Sequence, residues 1–318
     1  MKALITGVTG FVGQHLASYL KIRGYQVWGT TRNNSGEVNN IDGVNQVHVD
    51  FDNITSIVDM LNFIQPDHIY HLAGQSSVLE SWSDKVGTFN SNISLTMNLL
   101  EAIVQCEIKE KVSVLTVGSS EEYGGFDTGN NPVSENTPLK PISPYGISKA
   151  TVSMLVRHYH TVYNLKIIHT RPFNHIGPGQ RLGFVVSDFS NQIAQIEKGK
   201  KRKVISVGNL SAQRDFTDVR DIVKAYYFLL NEKVDSAWGE SVNVCSGKAT
   251  SIQSILETLL SLADCSIEVT IDSNKMRPVD IPVFMGDNTK LIDLTGWKPI
   301  ISLEQTLSDV LKFYRDKS

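Results

Sequence analysis

The chain has 318 residues and a formal net charge of -3, with 30 Lys and Arg against 33 Asp and Glu. That length holds one large α/β domain with a smaller lobe, or two domains of ordinary size. The balanced charge offers no basic stripe and argues against a nucleic-acid partner, and no stretch reaches the roughly 18 consecutive apolar residues of a membrane span. Glycines interrupt the opening MKALITGVTGFVG where a signal peptide would need a continuous apolar core, so a soluble, cytoplasmic protein is expected. Cys106, Cys245 and Cys265 are widely spaced in apolar-patterned segments and read as buried free thiols. The histidines show no HxxxH or HExxH spacing, so no metal site is expected.

Apolar runs and helical patterns alternate through the first half. KALIT is followed by a helix from about Phe11, then YQVWGT, NQVHV, a helix near Ile54 to Ile64, and HIYHLAG. A long helical pattern from about Asn90 to Cys106, the run KVSVLTVGSS, a helix from Pro144 and the run KIIHTR complete it. Strands spaced by crossover helices predict an α/β fold, a doubly wound parallel sheet of the Rossmann kind.

After Arg171 the alternation gives way to Pro- and Gly-rich sequence. Helices are predicted near Val185 to Lys198, Val219 to Asn231, Ile252 to Ala263 and Leu303 to Tyr314, separated by short strands. The expected division is a dinucleotide-binding domain over 1–172, with 218–245 returning to its sheet, and a smaller lobe from 173–217 and 246–318.

TGVTGFVG, Thr6 to Gly13, lies between the first strand and the first helix. Gly7, Gly10 and Gly13, with Phe11 and Val12 between them, suit a tight bend, close backbone approach to a pyrophosphate, and a helix packed near a strand. The second strand ends in VWGTTRNNS, without the acid that would bind a ribose 2′-hydroxyl. Arg32 there suits a 2′-phosphate, so NADPH is favoured, with NADH as the alternative and a solvated loop arginine as the plainer reading. Asp50, followed by Phe51, stands where a carboxylate can accept from the adenine amino group. Leu72, Ala73 and Gly74 end the fourth strand with small residues against which a cofactor can lie.

In SPYGISKA, Ser143 is a candidate N-cap and Pro144 fits the first helical position. Tyr145 and Lys149 are then i and i+4 on one helix face. A phenol needs a nearby positive charge to exchange protons near neutrality, and Lys149 can supply it and hold the cofactor ribose. Ser119 lies just past the strand KVSVLTVG, where its hydroxyl can bond the substrate oxygen that Tyr145 protonates.

The glycine motif, Ser119 and the Tyr145/Lys149 pair in this order resemble the extended short-chain dehydrogenase/reductase family over nearly the whole chain. The resemblance implies a catalytic Ser119, Tyr145 and Lys149, a nicotinamide cofactor in the N-terminal lobe and a nucleotide sugar in the C-terminal one. It also implies substrate contacts from Ser76, Glu121, Asn174, Arg214 and Arg277. Two arginines and an amide suit a diphosphate, since bidentate pairing orients it.

VGNLSAQRDF, RPFNHIGPGQ and GWKP are similar to enzymes of that family acting on GDP-mannose derivatives, and the guanine preference rests on this likeness alone. A 4,6-dehydratase needs an extra base, and Glu121 stands at the family's position for it. Against dehydration, Ser119 replaces the threonine, Glu122 replaces an apolar residue, and TTRNNSGEVNN carries only Arg32. The likeness therefore implies NADPH-dependent reduction of the C4 keto group of GDP-4-keto-6-deoxy-D-mannose, with dehydration or epimerisation of a nucleotide sugar as the alternative. A non-catalytic NADP-sensing Rossmann protein is a remoter reading, because such proteins usually lose the tyrosine or lysine. The two long helices resemble those that pair across a two-fold axis in the family, which implies a homodimer.

Overall fold

The computed structural model describes residues 1–31, 41–125, 131–232, 234–272 and 281–318. In β1 (Lys2–Thr6) every residue after Lys2 is buried, as expected where both faces of a parallel sheet are covered. Ala3 and Ile5 enter one apolar cluster and Leu4 the other, because successive side chains leave a strand on opposite faces.

The first half continues through α1 (Phe11–Ile22), β2 (Gln26–Thr31), β3 (Asn45–His48), α2 (Ile54–Ile64) and β4 (His68–His71). Short helices α3 (Val78–Ser83) and α4 (Lys85–Phe89) lead to α5 (Leu95–Gln105), β5 (Ser113–Val117), α6 (Pro144–Tyr163) and β6 (Lys166–Pro172). The second half contains β7 (Asn174–Ile176), α7 (Val185–Glu197), β8 (Val204–Val207), β9 (Gln213–Asp218), α8 (Val219–Asn231) and β10 (Ser241–Val244). It closes with β11 (Ala249–Ser251), α9 (Ile252–Ser261), β12 (Glu268–Ile271), β13 (Val283–Phe284), α10 (Thr289–Thr295) and α11 (Leu303–Lys317).

Seven strands form one parallel sheet in the order β10-β6-β5-β4-β1-β2-β3, the doubly wound sheet that the alternation predicts. On one face α1 and α8 bury Leu16, Leu20, Ile222 and Leu229. On the other, α2, α5 and α6 bury Ile57, Leu99 and Val156. Full burial of such a side chain contributes about 1.5–3 kcal/mol. A separate cluster joins α7, α9 and α11 through Ile193, Leu259 and Leu311. Strand β9 is the hub of that lobe, pairing β11 antiparallel and β7 and β13 in parallel.

Two details differ from the sequence expectation. The helix placed at Asn90 to Cys106 begins earlier, as α4, and passes through a π-helical turn at Asn90–Ser94 before α5. The turn inserts one extra residue and sends the Asn92 side chain inward, where it is 1% exposed. Cys106 and Cys245 are buried free thiols, but Cys265 is half-exposed, since it lies in the surface connection between α9 and β12. Among the described residues no helix is long and apolar enough to cross a membrane.

The GWKP segment docks on α8 through one buried carboxylate. Asp221 Oδ2 accepts the N–H groups of Ile300 (2.9 Å) and Ile301 (2.8 Å), and Oδ1 accepts from Lys224 (3.0 Å). Trp297, also buried, donates its indole N–H to the Asp221 carbonyl at 3.0 Å. Stranding a buried donor costs about 1–3 kcal/mol. Asp221→Ala is therefore expected to lower unfolding free energy by about 3 kcal/mol in a urea titration, whereas a change under about 0.5 kcal/mol would show that apolar contacts alone hold the segment.

Candidate active site

Parallel strands bring their following loops to one edge of the sheet. There the turn after β1 carries Gly7 and Gly10. Gly7 has φ +70°, a left-handed conformation that disfavours a Cβ, and a Cβ there would meet the Ala73 backbone at 3.1 Å. At Gly13 a Cβ would lie 2.5 Å from the Gly7 carbonyl oxygen and 2.8 Å from Val8 Cα, so α1 starts closer to β1 than any side chain permits. No side chain caps the N-terminus of α1 at Gly10, and such a helix end offers free N–H groups to an anion. This glycine cradle fits a dinucleotide pyrophosphate. Val12 is half-buried, and Phe11 stacks on His175 with ring centroids 6.2 Å apart.

Leu72, Ala73 and Gly74 follow β4, beside that cradle, with Ser76 exposed just beyond. Asp50 is exposed past β3, and its carboxylate accepts the Asp52 N–H at 2.9 Å. Phe51 is half-buried and packs against the second apolar cluster. Arg32, expected at the end of β2, and Arg277 lie outside the described residues.

Ser119, Tyr145 and Lys149 converge beyond β5, each 8% exposed. Ser143 caps α6, accepting the Gly146 N–H at 3.0 Å, with Pro144 in the first turn. That cap fixes where α6 starts and so where Tyr145 and Lys149 project. Gly146 lets the start of α6 press against the turn Ser120–Glu122, since a Cβ there would lie 2.5 Å from the Glu121 carbonyl oxygen.

Burial drives the Tyr145 phenol well above its usual pKa, its hydrogen bond with Ser119 works the other way, and the charge of Glu121 adds to the rise. Lys149 lies one turn further along the same face of α6. Its Nζ donates to the Val117 carbonyl at 2.8 Å and stands 5.8 Å from the Tyr145 ring centroid. Burial lowers the Lys149 pKa to about 8, against the opposing pull of Glu122. An amine poised there changes charge near the working pH when a neighbour shifts it.

Asn174 and Arg214 come together in the second sheet. Asn174 Nδ2 donates to the Asp215 carbonyl at 3.4 Å, and Arg214 donates to the Gln213 and Ile281 carbonyls at 2.8 and 2.7 Å. The Asp215 carboxylate, fully buried, accepts N–H groups from Ser246, Gly247 and Gly286 and so ties three loops to β9.

Sequence reasoning missed a hydrogen-bond chain that joins the cofactor edge to α6. The Ala73 N–H donates to the Thr6 hydroxyl (3.1 Å), which faces His71 Nδ1 (2.8 Å), and His71 Nε2 faces the Thr96 hydroxyl (3.0 Å). Thr96 donates to the Asn92 carbonyl (2.6 Å), Asn92 Nδ2 donates to Ser148 (2.9 Å), and Ser148 donates to the Tyr145 carbonyl (2.7 Å). Burial holds the His71 pKa down at about 3, so its neutral imidazole accepts at one nitrogen and donates at the other. The only signal in the sequence was polar residues within otherwise apolar runs, His71 in HIYHLAG and Asn92 before LTMNLL.

Residues 4–310 match the family described as GDP-mannose 4,6 dehydratase. The chain is 31% identical to the GDP-6-deoxy-D-mannose reductase of Pseudomonas aeruginosa, covering 99% of this chain and 98% of that one. It is 30% identical to the GDP-mannose 4,6 dehydratase of Cricetulus griseus, covering 98% of this chain and 90% of that one. The structure of RMD from Pseudomonas aeruginosa complexed with NADPH superposes with a TM-score of 0.86 at 30% identity, covering 100% of this chain and 99% of that one. With the parallel sheet, the glycine cradle and the Ser119, Tyr145 and Lys149 cluster, these matches mean that the chain belongs to the GDP-mannose 4,6 dehydratase family of extended short-chain dehydrogenases/reductases.

Proposed function

We propose that this protein reduces the C4 keto group of GDP-4-keto-6-deoxy-D-mannose to GDP-D-rhamnose, using NADPH. The observation that carries the reading is the convergence of buried Ser119, Tyr145 and Lys149 at the sheet edge, beside a glycine cradle that fits a dinucleotide. The reductase and NADPH-complex relatives support this chemistry, with NADH as the alternative cofactor.

When bound, NADPH supplies the hydride. Gly7, Gly10 and Gly13 would hold its pyrophosphate, with Phe11 and Val12 in the same turn and Leu72, Ala73 and Gly74 as the neighbouring wall. Asp50, Phe51 and Arg32 serve its adenosine end. The lobe over 173–217 and 246–318 would hold the sugar nucleotide, with Asn174 and Arg214 serving the diphosphate, Ser76 and Glu121 serving the sugar, and Arg277, outside the described residues, assigned to the diphosphate by the family likeness alone.

Ser119 and Tyr145 donate hydrogen bonds to the C4 oxygen, and Tyr145 transfers its proton as negative charge grows there. A phenol pushed up by burial is reliably protonated beforehand, which suits an acid in the reducing direction. Lys149, fixed by Val117 with its Nζ 5.8 Å from the Tyr145 ring centroid, brings positive charge near the phenolate that forms and stabilises it. Dehydration is the second reading, favoured by the Glu121 carboxylate beside Tyr145 and by the dehydratase relative.

A homodimer is also proposed. Helices α3, α4, α5 and α6 expose Leu79, Trp82, Val86, Met97, Ile147 and Met154, and on α6 Ile147 and Met154 are seven residues apart, on one stripe. A patch of this kind is more apolar than a solvated surface requires.

Stoichiometric loss of NADPH absorbance on mixing with GDP-4-keto-6-deoxy-D-mannose is expected, and conversion of GDP-mannose to the keto-sugar without added NADPH would instead favour dehydration. In the same assay Tyr145→Phe should lower kcat by about 100-fold or more, and Glu121→Gln by less than about tenfold. Equal, near-complete losses would make Glu121 a base. In analytical ultracentrifugation the wild type should sediment at the two-chain mass and Met154→Asp at the one-chain mass; a monomeric wild type refutes the dimer.

A further inference from the structure

Directly beneath the active-site turn lies a charged cluster for which the proposed reaction has no use. Glu122 and His169 are fully buried and Arg171 is 5% exposed. Glu122 Oε1 accepts the Ser119 N–H and the His169 Nε2 hydrogen, both at 2.9 Å, and Oε2 accepts from Arg171 Nε at 2.7 Å. His169 Nδ1 faces the Thr116 hydroxyl at 2.9 Å. Arg171 continues to the Tyr123 hydroxyl (3.1 Å), and that hydroxyl donates to Asn243 (2.7 Å) on β10.

Burying charges is costly, and a well-packed apolar replacement of a buried ion pair is often as stable or more so. The retention of this pair therefore points to geometry rather than stability. Its geometry is specific. The Ser119 hydroxyl accepts the Glu121 N–H at 3.2 Å while Glu122 reaches back to the Ser119 N–H, a reciprocal capping box that closes the turn on both sides of the serine. Gly118 makes room for it, since a Cβ there would lie 2.0 Å from Glu122 Oε1 and 2.2 Å from His169 Nε2. Burial alone would push the Glu122 carboxyl up, but His169, Arg171 and the Ser119 N–H together hold it below its usual range, so it is the anion that grips the turn. Burial lowers the His169 pKa, against the opposing pull of Glu122.

We propose that Glu122, held by Arg171 and His169, is a positioning residue that fixes the backbone of Ser119 and so aims the serine hydroxyl at Tyr145. The inference rests on the Ser119 and Tyr145 chemistry proposed above. It predicts that the cluster matters to turnover only through Ser119.

The test is a double-mutant cycle between the pair variant Glu122→Leu/Arg171→Leu and Ser119→Ala, read as kcat, NADPH Kd and thermal midpoint. Wild type is first assayed for NADPH oxidation with GDP-4-keto-6-deoxy-D-mannose and for conversion of GDP-mannose. Failure of the reductase reading appears there, and the cycle then runs on whichever substrate is turned over. Turnover of neither overturns both ideas. The pair variant is expected to keep the wild-type NADPH Kd, to melt within about 5 °C of wild type, and to lose kcat by about 100-fold. In the Ser119→Ala background the same change should cost nothing further. Losses that multiply in that background, or an unchanged kcat, overturn the proposal. Should the pair variant not fold, Glu122→Gln runs the same cycle, with a smaller loss expected that again disappears without Ser119.

Discussion

Parallel strand pairing is the constraint on which the rest of the molecule depends. Because β1, β4, β5, β6 and β10 all run the same way, the segments that leave them emerge at one edge. Gly7, Ala73, Ser119, Asn174 and Ser246 are thereby neighbours in space although spread over most of the sequence. Nothing in their local sequence makes them so; the sheet does. The helices that cover both faces supply the apolar burial that makes the parallel arrangement stable, and α6 adds Tyr145 and Lys149 from its capped first turn.

Polar networks then fix positions that the apolar core leaves free. One runs from Thr6 through His71 and Asn92 to Ser148 and ties the glycine cradle to α6. The other runs from Ser119 through Glu122 and Arg171 to Tyr123 and Asn243, and ties the serine turn to the last strand of the main sheet. Each is made of fully buried groups with named partners, as such groups must be to avoid the cost of desolvation. Apolar packing alone tolerates small shifts, whereas hydrogen bonds of fixed length between buried groups do not.

Much of this was legible in the sequence because the signals are local. The apolar runs of the first strands, the Ser-Pro start of α6 and the glycine spacing after β1 each follow from neighbours within a few residues. The partnership of Glu122 with Arg171, or of Asn92 with Ser148, joins residues about 50 positions apart and leaves no local pattern. Glu122 was visible only as an acid where an apolar residue was expected. The π-turn at Asn90–Ser94 was likewise hidden, since nothing in NSNIS sets a π-turn apart from an ordinary helical turn.

The central claim is that Ser119 and Tyr145 act on a C4 carbonyl that receives hydride from bound NADPH, and not on a hydroxyl that is first oxidised there. The most direct measurement is a single turnover of GDP-4-keto-6-deoxy-D-mannose with NADPH deuterated at the transferred position, followed by proton NMR of the product sugar. Deuterium at C4, with an intact C6 methyl, is the predicted outcome. No deuterium in the sugar, with GDP-mannose instead converted to the keto-sugar without added NADPH, would contradict the account and return Glu121 to the role of base in a dehydration.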